Sequence, residues 1–209
     1  MNEEVQMVVI DEAHNLEDRV RSATTERHGQ RQLINAINAS IKSVRGEDRE
    51  YVLEEADSAI RAVRALFQNL DQQVRQQIEE SARDMKYADR FFFRQDNGAV
   101  ELIRSVSGQL QALSSSIQVF GSKDHHRGTA SSAADDLDAA AQSFKELVAN
   151  YHKQLIWLER RGTAADLVFC PKNTRDILSQ LYFRRKIRTI LTSATLTSAH
   201  DGELADQYT

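Results

Sequence analysis

The chain opens on a short apolar run. Val5-Gln6-Met7-Val8-Val9-Ile10 is rich in β-branched residues and ends in the acids Asp11 and Glu12. Such a run predicts a buried strand of the parallel-sheet kind. From about Arg21 to Leu158 the period becomes helical and strand signal is almost absent. Leu33, Ile34, Ile37, Ile41 and Val44 fall at helical spacing, with Gly46 as a stop. Leu53, Ala56, Ile60, Val63, Phe67, Leu70, Val74 and Ile78 predict one helix from near Glu47 to Ala82 or Tyr87. Its length without an internal cap suggests an arm or coiled-coil-like packing. Val100, Ile103, Val106, Leu110, Leu113, Ile117 and Phe120 make a third stripe, and Leu137, Ala141, Phe144, Val148 and Tyr151 a fourth. Four such helices can bury their stripes against one another. Residues 94–98 read as a turn and 121–132 as a polar loop. Residues 166–170 then read as a strand that stops at Pro171, 174–183 as a short amphipathic helix, and 188–192 as a second apolar strand. The predicted fold class is mainly α, with a helical insertion of about four helices at 21–158. Strands of an α/β domain flank it in 1–20 and 159–209.

Composition agrees with long helices. Among 209 residues there are one proline and eight glycines, so little of the chain is punctuated. With 41% hydrophobic and 28% charged residues, it can bury a core and is not a wholly disordered chain. No stretch approaches 18 consecutive apolar residues, so no transmembrane helix is expected. The first residues, Met1-Asn2-Glu3-Glu4, lack the basic and apolar parts of a signal peptide, and a cytoplasmic location is expected. The single cysteine, Cys170, excludes an internal disulfide framework and an all-cysteine metal site. The formal net charge of −4 is unevenly spread. Residues 158–190 hold eight cations against three acids, which leaves −9 for the remainder. That basic segment reads either as a phosphate-binding surface or as a solvated face.

The clearest chemistry follows the first strand. Asp11-Glu12-Ala13-His14 lies beyond its carboxyl end, where open α/β sheets bind ligands. An Asp there can hold Mg²⁺, usually through water, while the metal neutralises phosphate oxygens. An adjacent Glu can orient or deprotonate an attacking water. His14 is placed to hydrogen-bond a neighbouring element and relay the state of the site. Acids also commonly cap helices after strands, so the tetrapeptide gains its meaning from the apolar run before it.

The segment from Val8 through Asp11-Glu12-Ala13-His14 to Asn15-Leu16 resembles the Walker B motif (motif II) of superfamily 2 helicases. Asn15-Leu16 is typical of the DinG/XPD-like branch. Thr189-Ile190-Leu191-Thr192-Ser193-Ala194-Thr195-Leu196-Thr197 resembles motif III of that branch. Trp157-Leu158-Glu159 and Phe169-Cys170-Pro171 resemble its lead-in. The motifs occur in the family's order with a helical insert between them.

The resemblance implies an ATP-dependent DNA helicase. Asp11 is then the Mg²⁺ position and Glu12 the catalytic acid–base. His14, Thr192, Ser193 and Thr195 couple nucleotide state to DNA. It implies that 1–20 and 159–209 belong to an incomplete RecA-like motor domain and that 21–158 is an Arch-like insertion helping to enclose single-stranded DNA. ATP and Mg²⁺ are the implied cofactors, and family members often carry an iron–sulfur cluster upstream of motif II. Cys170 alone cannot hold such a cluster. The P-loop G-x-x-x-x-G-K-[ST] does not occur in these 209 residues. The expectation is therefore a piece of a helicase that does not turn over ATP by itself. The alternative is a non-catalytic helical module that binds a protein partner or single-stranded DNA.

Other residues invite two readings each. Tyr87, Phe91, Phe92 and Phe93, interleaved with Lys86, Arg90 and Arg94, suit base stacking and phosphate contact, or simply packing at a helix end. Arg184, Arg185, Lys186 and Arg188 adjoin the second strand and are offered as DNA contacts or a solvated face. Trp157 is expected to anchor the insertion rather than to stack a base. His125 and His126 lack the i, i+4 spacing of helical metal ligands and read as a solvated loop. Ser193 and Thr195 have no identifiable base beside them, so hydrogen-bond coupling suits them better than nucleophilic attack.

Overall fold

The computed structural model describes residues 7–42, 44, 48–81, 88–95, 98–121, 127–162, 164–183, 188–193, 198–200 and 203–205. The fold is mainly helical, with flanking strands in small sheets. The chain divides into two compact units, one of residues Glu26–Phe169 and one of Met1–Thr25 with Cys170–Thr209.

In the second of these, β1 (Met7–Ile10) leads through a 3-10 turn at Ala13–Asn15 into α1 (Leu16–Ala23). The predicted residues before Met7 lie outside the described set. The returning chain forms α6 (Thr174–Leu178), which continues as a π-turn over Ser179–Phe183, and then β6 (Arg188–Leu191). Asn173 caps α6 by accepting the Arg175 N–H at 3.0 Å. β6 pairs with β1 in parallel, as the apolar run predicts, and parallel neighbours require a crossover connection. The other unit is inserted in that crossover. The expectation that β1 is buried does not hold. Met7 and Val9 are 54% and 57% exposed, and Ile190 and Leu191 also face outward. A parallel strand is buried when further strands and helices cover both its faces, and among the described residues β1 has β6 as its one strand neighbour. Two short strands, β7 (Ser198–His200) and β8 (Glu203–Ala205), form an antiparallel hairpin.

The Glu26–Phe169 unit contains the four predicted helices: α2 (Gln30–Ile41), α3 (Arg49–Glu80), α4 (Ala99–Gly121) and α5 (Arg127–Ala149). Their stripes form one core around the fully buried Phe67, Leu70, Leu110, Leu113, Leu137 and Phe144. Each such side chain is worth about 1.5–3 kcal/mol in water removed from apolar surface. Two buried serines lock α4 to α5. The Ser107 and Ser114 hydroxyls donate to the carbonyls of Ala141 and Ala134, at 2.8 and 2.9 Å. The crossed numbering shows that the helices run in opposite directions. Two details differ from the periodic reading. Val52, not Leu53, begins the buried stripe of α3. α5 begins at Arg127, so residues 127–132 are helix rather than loop. Alanines at 130, 133 and 134 extend the helix backward from its apolar stripe. Gly46, His125 and His126 lie outside the described residues.

A sheet that the helical period concealed completes this unit. β2 (Glu26–His28), β3 (Arg90–Phe92), β4 (Gln154–Arg161) and β5 (Ala164–Pro171) lie in the order β2-β5-β4-β3. Because β5 pairs with β2 and neighbours β4, the unit extends to Phe169, beyond the boundary expected at residue 158. The free edge of β3 is closed by side chains from α3. Gln77 Oε1 accepts the Phe92 N–H at 2.9 Å and its Nε2 donates to the Phe92 carbonyl at 2.8 Å. Gln73 does the same for Arg94, at 2.8 and 3.0 Å. Two glutamines one helical turn apart thus stand in for a neighbouring strand, which satisfies an otherwise open edge. No helix among the described residues is long and apolar enough to cross a membrane.

Candidate functional site

The parallel register of β1 and β6 sets the site. Met7 lies opposite Arg188 and Ile10 opposite Leu191. The ladder continues past both strands, with the Thr192 N–H donating to the Ile10 carbonyl and the Ala13 N–H donating to the Thr192 carbonyl, both at 2.9 Å. Residues 11–14 therefore lie against 192–193, some 180 residues away in sequence.

Each polar side chain in this corner has a defined partner. The Thr192 hydroxyl donates to Asp11 Oδ1 at 2.7 Å, and the Glu12 N–H donates to the same oxygen at 2.9 Å. The Thr192 hydroxyl first, and the Glu12 amide second, hold the Asp11 carboxyl below its ordinary range. Both bonds favour the ionised form. Asp11 Oδ2 has no protein partner among the described residues. His14 Nδ1 lies 2.8 Å from Ser193 Oγ and 3.1 Å from Glu12 Oε2. Of the residues the sequence grouped here, Asp11, Glu12, His14, Thr192 and Ser193 are brought together. Thr195 lies outside the described residues.

Glu12 carries a feature that its sequence does not announce. Its backbone is left-handed, with φ 53° and ψ 43°, and among the described residues no other non-glycine has positive φ. That conformation costs about 1–2 kcal/mol for an L-residue, and such strain collects at functional sites. It turns the chain sharply after Asp11, so that two adjacent acids take different partners.

The chemistry open to this corner is limited and clear. An ionised, exposed carboxylate with one oxygen oriented and the other unengaged among the described residues suits a hard cation held partly through water. The Glu12 carboxylate, beside an imidazole, can accept a proton from water. Among the described residues no group of three or more His, Cys, Asp or Glu side chains is gathered as a complete metal cage.

The expected nucleic-acid contacts fare differently. Arg184, Arg185 and Lys186 lie outside the described residues, whereas Arg188 stands exposed on β6. Arg90 and Arg94 are already engaged. Arg90 Nε donates to Glu159 Oε1 at 3.2 Å, and its guanidinium lies 5.6 Å from the Trp157 ring centre. Arg94 pairs with Glu80 at 2.5 Å. Phe91 is buried in the core, Phe93 packs against it, and Phe92 is 77% exposed. Trp157 is a partly buried residue of β4, opposite Phe92. Glu80 and Glu159, the acids that occupy these arginines, have no marker in the sequence. No protein-family model matches the chain, and no curated protein matches it.

Proposed function

We propose that this chain is part of an ATP-dependent DNA helicase of the DinG/XPD-like kind, which couples ATP hydrolysis to movement along single-stranded DNA in the cytoplasm. The observation that carries the reading is the bond from Thr192 to Asp11, with Ser193 against His14 beside it. The two segments that resemble motifs II and III are hydrogen-bonded side chain to side chain across the β1–β6 pair. A coupling role needs that contact, because hydrolysis at one segment must be felt by the other.

In this reading Asp11 would hold Mg²⁺, and Glu12 would orient and deprotonate the attacking water. The metal, when bound, neutralises charge on the phosphate oxygens. Thr192 keeps Asp11 ionised and aimed, and His14 ties Glu12 to Ser193. The Glu26–Phe169 unit is the Arch-like insertion that helps enclose the strand.

The 209 residues contain no G-K-[ST] to cradle a triphosphate, so the chain alone is expected to release no phosphate from ATP. The test is phosphate release by the product of the whole reading frame that encodes it. Hydrolysis stimulated by single-stranded DNA and abolished by Glu12→Gln is expected. A frame that encodes no P-loop, or a Glu12→Gln variant that hydrolyses at the unaltered rate, would refute the motor assignment.

A further inference from the structure

We infer that a polar groove on the Glu26–Phe169 unit binds the phosphodiester backbone of single-stranded DNA through Arg31, Arg64 and Arg75. This rests on the proposed function for the identity of the strand and goes beyond it in locating the contact. Two cavities make the groove. One, of about 610 Å³, is lined by Arg27, Arg31 and Arg161 among others, and the next, of about 470 Å³, by Arg64 and Arg75. Gln30 lines both, so they meet end to end.

The charge balance of the groove favours an anion. Its acids are already satisfied within the protein. Asp166 Oδ2 lies 3.3 Å from Arg161 and 3.6 Å from Arg27, and Glu159 pairs with Arg27 and Arg90. Asp71 accepts the Ala165 N–H at 2.8 Å; burial pushes its carboxyl above the ordinary range, against that bond and the nearby charge of Arg75. Arg31 and Arg64 are exposed and make no ion pair among the described residues. Arg31, Arg64 and Arg75 carry planar forks that match phosphate oxygens two at a time. Glutamine side chains between them supply neutral donors for phosphate and sugar oxygens.

Length decides between a single phosphate and a chain of them. Arg64 and Arg75 are both on α3, and eleven residues of helix separate them by about 16 Å. Arg31 extends the row beyond Gln30. No single phosphate group spans that distance, whereas an extended polyanion does.

The experiment is fluorescence anisotropy of a labelled single-stranded DNA 20-mer with the 209-residue chain, without nucleotide, across a salt series. The variants are Arg31→Ala, Arg64→Ala and the double change. These side chains are exposed, so unchanged circular dichroism is the control for folding. The double variant should bind at least tenfold more weakly at low salt. Its slope of log affinity against log salt should be shallower by about 1.4, for two phosphates lost from a single strand. Wild-type affinity and slope in the double variant, or no binding by the wild-type chain at low salt, would overturn the inference. Displacement of the DNA by millimolar inorganic phosphate at fixed ionic strength would make this a small-anion site and also overturn it. Tighter binding of an RNA 20-mer would overturn the assignment to DNA. Because the readout is binding without nucleotide, it stands or falls separately from phosphate release by the longer product.

Discussion

His28 should make the helical unit acid-sensitive. It lies on β2, 6% exposed, with its ring 4.5 Å from that of Phe144 and 5.8 Å from that of Phe169. Its Nε2 is 2.8 Å from Ser143 Oγ, a partner that serves the neutral ring. Burial pushes its pKa down from 6.5 to about 4. The Glu26 carboxylate, 3.9 Å away, would favour the imidazolium, but it stands largely in water and burial prevails. The unfolded chain therefore takes up a proton near pH 6.5 that the folded unit refuses until about pH 4. Stability is unaffected above pH 6.5 and falls as the pH drops below it, by about 2 kcal/mol at pH 5 and at most about 3 kcal/mol. Urea unfolding followed at 222 nm reads this unit, because it holds α2 to α5. The comparison is the wild-type chain against His28→Gln, at pH 7.5 and pH 5. Carboxylates that titrate in both proteins cancel. The variant should lose about 2 kcal/mol less between the two pH values. Equal losses, or a His28 ring titration centred near 6.5 by NMR, would refute the argument.

Two further outcomes follow from the hydrogen bonds. Gln77→Leu strips the Phe92 N–H and carbonyl of their partners at a part-buried edge and should cost about 2–4 kcal/mol in urea unfolding. A loss below about 1 kcal/mol would mean that water replaces the amide. Thr192→Val removes the largest influence on Asp11, so the Asp11 titration followed by carbon-detected NMR should move up toward the ordinary carboxylate range. An unmoved titration would detach Thr192 from the site.

The helices were legible because each hides a stripe of large apolar residues over many turns, and that period survives single errors such as Leu53 for Val52. The four-stranded sheet was not. β2 and β3 are three residues each, Glu26-Arg27-His28 and Arg90-Phe91-Phe92, too short to show alternation. What makes them strands is pairing with β5 and β4 from distant parts of the chain, and in β3 also the two glutamines of α3. Those are contacts, not propensities. The corner around Asp11 was legible by its motifs, whereas the left-handed backbone of Glu12 was not, since a glutamate carries no turn signal.

Charge was the least legible property, and the reason is physical. A run of cations in sequence does not reveal which are spent. Arg90 and Arg94 stand beside aromatics in the sequence and look available, yet Glu159 and Glu80 already hold them. Arg27, Arg31, Arg64, Arg75 and Arg161 are scattered through the chain, and no window of the sequence groups them. Folding gathers them along one groove and spends its acids on internal bonds, leaving Arg31 and Arg64 without ion pairs among the described residues. The affinity of such a surface for a polyanion depends on cations left over after internal pairing, since a guanidinium already on a carboxylate must break that bond to release a phosphate counterion. Substitution at Arg90 or Arg94 should therefore disturb the β3 edge more than nucleic-acid binding, and substitution at Arg31 or Arg64 the reverse.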